Sequence, residues 1–193
     1  MAKLNEAAVD RALDEHLNLL QWVKRECRGA VVEAAERIVQ SYRTHGKVLL
    51  FGNGGSASDA LHIEGELVNR FYKDRPGLPA IALGASVPSL TAIANDYSYQ
   101  DLFARLVEAH GRRGDVALGL STSGNSENVV RGLKRARELG LATIAFTGEA
   151  GGRCRDHADH LFALPSRCTP RIQEAHITLG HVLCELVEAA LFA

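Results

Sequence analysis

Val9, Leu13, Leu17 and Leu20 recur at helical spacing with charged residues between them. Val31, Ala34, Ile38 and Tyr42 resume the pattern after a break near Arg28-Gly29, so the spacing predicts two leading helices, with Gly46 as a stop for the second. The rhythm then changes. KVLLF (47–51) is a short continuous apolar run ending in GNGGS, and four more runs follow: PAIAL (79–83), DVALGL (115–120), LATIAF (141–146) and HLFAL (160–164). Unbroken runs of this length suit strands covered on both faces, and amphipathic helical stretches lie between them. A last helix over 169–191 closes the chain. The alternation predicts an α/β fold built on a parallel, helix-covered sheet. No linker interrupts it, because Arg75-Pro76-Gly77 and Gly148 to Gly152 are no longer than ordinary turns.

In such a sheet the loops leaving the C-terminal strand ends form the binding crevice. Two of these loops are rich in small polar residues and each leads into a helix: GNGGSAS (52–58) and STSGNS (121–126). Unpaired N–H groups and the positive dipole end at a helix start make an anion site, and hydroxyls add neutral donors. The two loops are therefore expected to form a phosphate cradle needing no Lys or Arg, although single loops of this composition also serve as ordinary caps and turns. Gly52-x-Gly54-x-x-Ala57 could be taken for a dinucleotide fingerprint, but the second strand runs into Gly84-Ala85-Ser86 with no acid to hold a ribose, and GxxxxGK[ST] is absent.

Charge narrows the partner. Lys+Arg 22 against Asp+Glu 23 leaves a formal charge of -1, which gives no electrostatic reason to bind nucleic acid or an acidic membrane. The stretch MAKLNEAAVDRALDEHL is charged throughout, no segment approaches a membrane span, and a cytoplasmic chain of one domain is expected. Cys27, Cys154, Cys168 and Cys184 lie far apart without a CxxC pair, as reduced structural thiols do.

Four side chains could reach the crevice. His62 and Glu66 stand four apart on the helix opened by the first glycine loop, and Gln173 and His181 share a face of the last helix. Each has a dull explanation: Glu66 could be solvated or paired with Arg70, and His181 could be a core histidine. Cys154-x-x-His157-x-x-His160 has metal-like spacing but runs into a predicted strand that would split its ligands between faces.

GNGGSASDALHIEGEL, RPGLPAIAL, AIANDYSYQDLFARLVEAHGRRGDVALGLSTSGNS, TGEAGG and RIQEAHITLGHVLCELVE, in that order, resemble the sedoheptulose-7-phosphate isomerases (phosphoheptose isomerases) of the sugar-isomerase (SIS) domain superfamily. The resemblance covers nearly the whole chain from about residue 45. It implies a three-layer sandwich around a five-stranded parallel sheet, an N-terminal helical hairpin (1–45) at an oligomer interface, and a homotetramer with sites between subunits. The implied reaction converts D-sedoheptulose 7-phosphate to a D-glycero-D-manno-heptose 7-phosphate, on the way to activated heptose for surface glycans such as lipopolysaccharide.

By matching position, Ser121, Thr122, Ser123 and Ser126 would hold phosphate, while Asn53, Gly54, Gly55, Ser56, Asn95, Asp96, Glu66 and Gln173 would contact the sugar. Acid/base work would fall to Glu66 and His181, since an enediol path needs a base to move a proton between C1 and C2 and an acid at the oxygen. Some members bind zinc through the equivalents of His62, Glu66, Gln173 and His181. Such a metal could polarise the sugar oxygens while a ligand detaches, or occupy the site without being required. SRCTPRIQE departs from the pattern by placing Thr169-Pro170 where relatives carry an acid; proline suits a helix start. Non-catalytic SIS proteins, partner-binding factors or sugar-phosphate sensors, are the alternative; they can dispense with the acid/base pair, and here Glu66 and His181 are both in place.

Overall fold

The structure, a computed structural model, describes residues 5–192; the first four positions of the charged N-terminal stretch lie outside them. Two helices lead, α1 (Glu6–Glu26) and α2 (Arg28–Arg43). The remainder alternates: β1 (Val48–Gly52), α3 (Gly55–Val68), β2 (Ala80–Ala82), α4 (Val87–Asp96), α5 (Leu102–His110), β3 (Val116–Ser121), α6 (Glu127–Glu138), β4 (Ala142–Thr147), β5 (His160–Ala163) and α7 (Thr169–Leu191). The strands form one parallel sheet in the order β2-β1-β3-β4-β5. Each expected strand is found with its ends shifted by at most a single residue.

Strand alternation sends side chains to two separate cores. Val48, Leu50, Leu118, Ile144 and Phe146 face α2, α3 and α7 on one side of the sheet. Leu49, Phe51, Ala117 and Ala145 face α5 and α6 on the other. The fold is therefore three-layered, helix on sheet on helix, with the leading helices on the α7 side. Helix α6 sits unusually close to the sheet because Gly119 and Gly132 carry no Cβ. A Cβ on Gly132 would lie 2.8 Å from the Phe51 ring, and one on Gly119 would lie 3.1 Å from both Phe51 and Leu133.

The apolar stripe that predicted α1 meets this core only at Leu20, which is partly buried against it. Val9, Leu13 and Leu17 are 58%, 55% and 54% exposed, while Leu19 is the buried residue of the helix. The periodicity correctly indicates a helix, yet its most regular face is left to solvent. Among the described residues, no helix is long and apolar enough to cross a membrane.

One histidine is fully buried, and it is His176 rather than His181. Its Nε2 lies 3.2 Å from the Thr147 carbonyl oxygen. A carbonyl only accepts, so Nε2 carries the proton and Nδ1 keeps a lone pair that meets no partner among the described residues. Charging the ring would bury both a cation and an orphan N–H, and burial pushes the pKa down to about 4 against the weaker opposite pull of the carbonyl. An unfolded histidine takes its proton near 6.5, so this contribution to stability is complete above that pH and is lost as pH falls toward 4. Urea unfolding at pH 6.5 and 4.5 is expected to show wild type losing about 2 kcal/mol more than His176→Gln over that interval. Equal losses in the two proteins would remove His176 as the cause.

Candidate active site

The chain leaves β1 toward β2 on one side and later returns to place β3 on the other, so the sheet reverses direction of growth between β1 and β3. Loops diverge at such a point and open a crevice at the C-terminal strand ends. The two polar loops singled out from sequence are the ones that leave β1 and β3.

The second loop is organised by its own hydroxyls. Ser121 is buried at the end of β3, and its Oγ donates to Ser126 Oγ at 3.1 Å and lies 3.5 Å from Ser123 Oγ. The Asn125 amide donates to Ser123 Oγ at 3.1 Å. Ser126 is the N-cap of α6 but makes no side-chain cap bond, so its hydroxyl is not spent on the helix amides. Gly124 turns the chain with φ 65 and packs against Gly151 and Gly152 of the loop after β4. Thr122 and Ser123 open onto a cavity of about 410 Å³ shared with Glu149, Ala150, Ser166, Arg167 and Thr169. Arg167 pairs with Glu149 there, so a cation does stand at the cradle's edge, which composition of the loop alone could not show.

The first loop is tied to the second. Asn53 and Asn128 exchange two amide hydrogen bonds, each 2.9 Å, and the Tyr99 hydroxyl donates to Asn53 Oδ1 at 2.8 Å. Gly54, with φ 56, caps α3 without a side-chain bond. Ser56 turns inward and is buried. Gly55 is where α7 approaches: a Cβ there would lie 2.5 Å from the Gln173 amide nitrogen. Asn128 and Tyr99 escaped sequence reading because an asparagine after STSGNSE reads as a turn residue and a tyrosine in a loop carries no period.

Helices α3 and α7 run side by side in the same direction, since Gly55 meets Gln173 at one end and Ile63 meets Gly180 further along. This pairing brings His62, Glu66 and His181 together. His62 Nε2 lies 3.3 Å from Glu66 Oε1 and 3.2 Å from His181 Nε2, and the two rings meet edge to face with centroids 4.8 Å apart. One donor atom from each lies within 4.8 Å of the others. Glu66 pairs with His62 rather than with Arg70. Gln173 stands elsewhere: eight residues of helix separate it from His181, about 12 Å of axis, and its amide rests on Gly55. Asn95 and Asp96 are exposed at the end of α4, where Asn95 donates to Asp96 at 2.8 Å. Cys154 is buried with its thiol pushed up to about 12 by that burial, and it joins no metal-like group with His157 and His160 among the described residues. Thr169-Pro170 occupies the first turn of α7, where the missing proline N–H costs nothing.

A parallel five-stranded sheet with a hydroxyl-rich loop at its reversal point and an imidazole–carboxylate group where α3 meets α7 defines a class, and the chain belongs to the SIS domain family, whose model matches residues 13–148. Within that family its similarities are to phosphoheptose isomerases. It is 51% identical to the phosphoheptose isomerase of Thermodesulfovibrio yellowstonii over 97% of this chain and 93% of that one. The solved phosphoheptose isomerase of Francisella tularensis superposes with a TM-score of 0.93 at 32% identity, covering 97% of this chain and 100% of that one. The enzyme of Neisseria gonorrhoeae gives 0.90 at 38% identity, covering 95% and 98%.

Proposed function

We propose that this isomerase takes D-sedoheptulose 7-phosphate to D-glycero-D-manno-heptose 7-phosphate at the crevice between β1 and β3. The relatives' names support the sedoheptulose-7-phosphate isomerase activity. The observation that carries the residue assignment is the meeting of Glu66 and His181, from two different helices, in a chain whose β3–α6 loop presents a cluster of hydroxyls.

Phosphate would be received by Ser121, Thr122, Ser123 and Ser126 together with the free amides that open α6. Gln173, held over Gly55, would contact the sugar between cradle and acid/base pair. Glu66 would carry the proton between C1 and C2, and His181 would exchange one with the neighbouring oxygen, so that the enediol forms and collapses without a free charge building up. Asn53 is held by Tyr99 and Asn128 at the mouth of the first loop, where it can orient a sugar hydroxyl. The reading as a binding factor or sensor is not favoured, because the acid/base pair is assembled and the relatives are named as isomerases.

The donor set also fits zinc. Two imidazoles and a carboxylate with converging donor atoms are a common three-ligand arrangement that keeps a position open. His62, Glu66 and His181 would hold the ion, while Gln173, about 12 Å further along α7, lies beyond its reach within one chain. A bound zinc would supply Lewis-acid polarisation of a sugar oxygen. The exposed Val9–Leu13–Leu17 stripe of α1 supports the helical N-terminal segment as an interface in a homotetramer, and His62, half exposed, would be covered in such an assembly.

The deciding experiment follows aldoheptose phosphate by NMR after adding sedoheptulose 7-phosphate, before chelation, after it, and after zinc is returned. Product that falls on chelation and recovers with zinc is expected. Unchanged turnover after complete metal removal would take zinc out of the reaction, and no product from folded, metal-loaded protein would refute the activity.

A further inference from the structure

A buried ion pair stands directly behind the acid/base group. Arg75 and Glu188 each have side chains only 2% exposed, and Arg75 Nε donates to Glu188 Oε2 at 2.8 Å. Glu188 lies in the apolar last turns of α7, where a lone carboxylate would be costly. Its two oxygens are fully used. Oε1 accepts the amides of Tyr72 at 2.7 Å and Lys73 at 2.9 Å, and Oε2 accepts the amide of Phe71 at 3.0 Å as well as Arg75. Burial pushes its pKa up, but these bonds outweigh it and hold the group at about 2.

Arg75 spends its other nitrogens on the end of α3. Nη2 donates to the Glu66 carbonyl oxygen at 2.9 Å, and Nη1 to the Leu67 carbonyl oxygen at 2.8 Å. The carbonyls at a helix end have no partner within the helix, so this guanidinium fixes the last turn of α3, the turn that carries Glu66. The same loop sets Phe71 against the other catalytic candidate, with its ring centroid 5.8 Å from that of His181. One clamp therefore reaches both groups, Glu66 through its backbone and His181 through Phe71.

The geometry points to Arg75 and Glu188 as positioning residues for the isomerisation, holding Glu66 and His181 at their working separation. This rests on the assignment of Glu66 and His181 as the acid/base pair. Neither clamp residue faces the hydroxyl cradle, so substrate affinity and turnover should separate when the clamp is loosened.

The test uses Glu188→Gln and Arg75→Lys in the full chain, with Leu133→Ala, in the opposite core, as a destabilised control. A glutamine offers one carbonyl oxygen, so it can serve only one side of the four-donor set; a lysine keeps the charge but cannot span Glu188 and two carbonyls. The expected result for each clamp variant is kcat reduced at least tenfold per folded molecule with KM within about threefold of wild type. A changed His181 Cε1–H NMR shift, from a displaced Phe71 ring, should accompany it. Leu133→Ala should lose thermal stability while keeping kcat and the His181 signal. Either clamp variant alone suffices should the other fail to fold. Folded variants with normal kcat, or a loss of kcat with an unmoved His181 signal, would overturn the positioning role. If wild type itself isomerises the substrate but Glu66→Gln is fully active, the acid/base assignment fails instead of the clamp.

Discussion

Glu66→Gln should retain the fold and lose at least about 100-fold in kcat, the usual scale for removing a general base. The amide keeps the carboxylate's shape and can still accept a hydrogen bond from His62, so the packing of α3 on α7 should survive. What it cannot do is take a proton from C1 or C2. KM should change little, because the proposed phosphate cradle belongs to other loops. The NMR product assay measures both quantities, and near-normal turnover in the variant would remove Glu66 from the chemistry.

The second large effect is expected from Gly124→Ala, and it is chiefly one of stability. Gly124 has φ 65, a region where a Cβ is strained, and that Cβ would lie 2.2 Å from the Gly151 carbonyl oxygen and 2.5 Å from its carbon. These neighbours are backbone and cannot swing away. Together, strain and overpacking should cost about 2–4 kcal/mol, or a Tm lower by roughly 5–12 °C for a chain of this size. Substrate affinity should fall as well, because the loop that must move carries Ser123 and Ser126. A Tm within about 2 °C of wild type by calorimetry would show that the loop relaxes freely.

The sheet was legible because its central strands β1, β3 and β4 are buried on both faces, so each appears as a short, mostly apolar run that ends at a glycine or hydroxyl residue. The helices on the α5–α6 side of the sheet were harder to place. Helix α4 buries no residue, which removes the periodic signal at its source. The α1 stripe gave the right element and the wrong face, since sequence period reports that a helix has an apolar side without saying what covers it.

At the site, spacing singled out the two polar loops and the His62–Glu66 and Gln173–His181 pairs as candidates, because loops at strand ends and i,i+4 steps are local rules. It also joined Gln173 and His181 too closely. A shared helix face does not imply proximity along the axis. Long-range partners left fainter marks. Arg75 looked like part of a short turn, and its hold on α3 depends on Glu188, which is 113 positions away. The one available clue was a glutamate placed among LVEAALF, an acid in a helix face that must face inward.

The parallel contact between α3 and α7 also bears on how this segment can vary. The two helices are pinned at Gly55 with Gln173 and again at Ile63 with Gly180. A single residue inserted in either helix between its pins would turn everything beyond it by about 100° and advance it by about 1.5 Å. His62 and Glu66 would then point away from His181 while every residue type remained unchanged. Substitutions between the pins can be absorbed one at a time, but a change of length cannot be, short of a whole-turn adjustment in both helices at once.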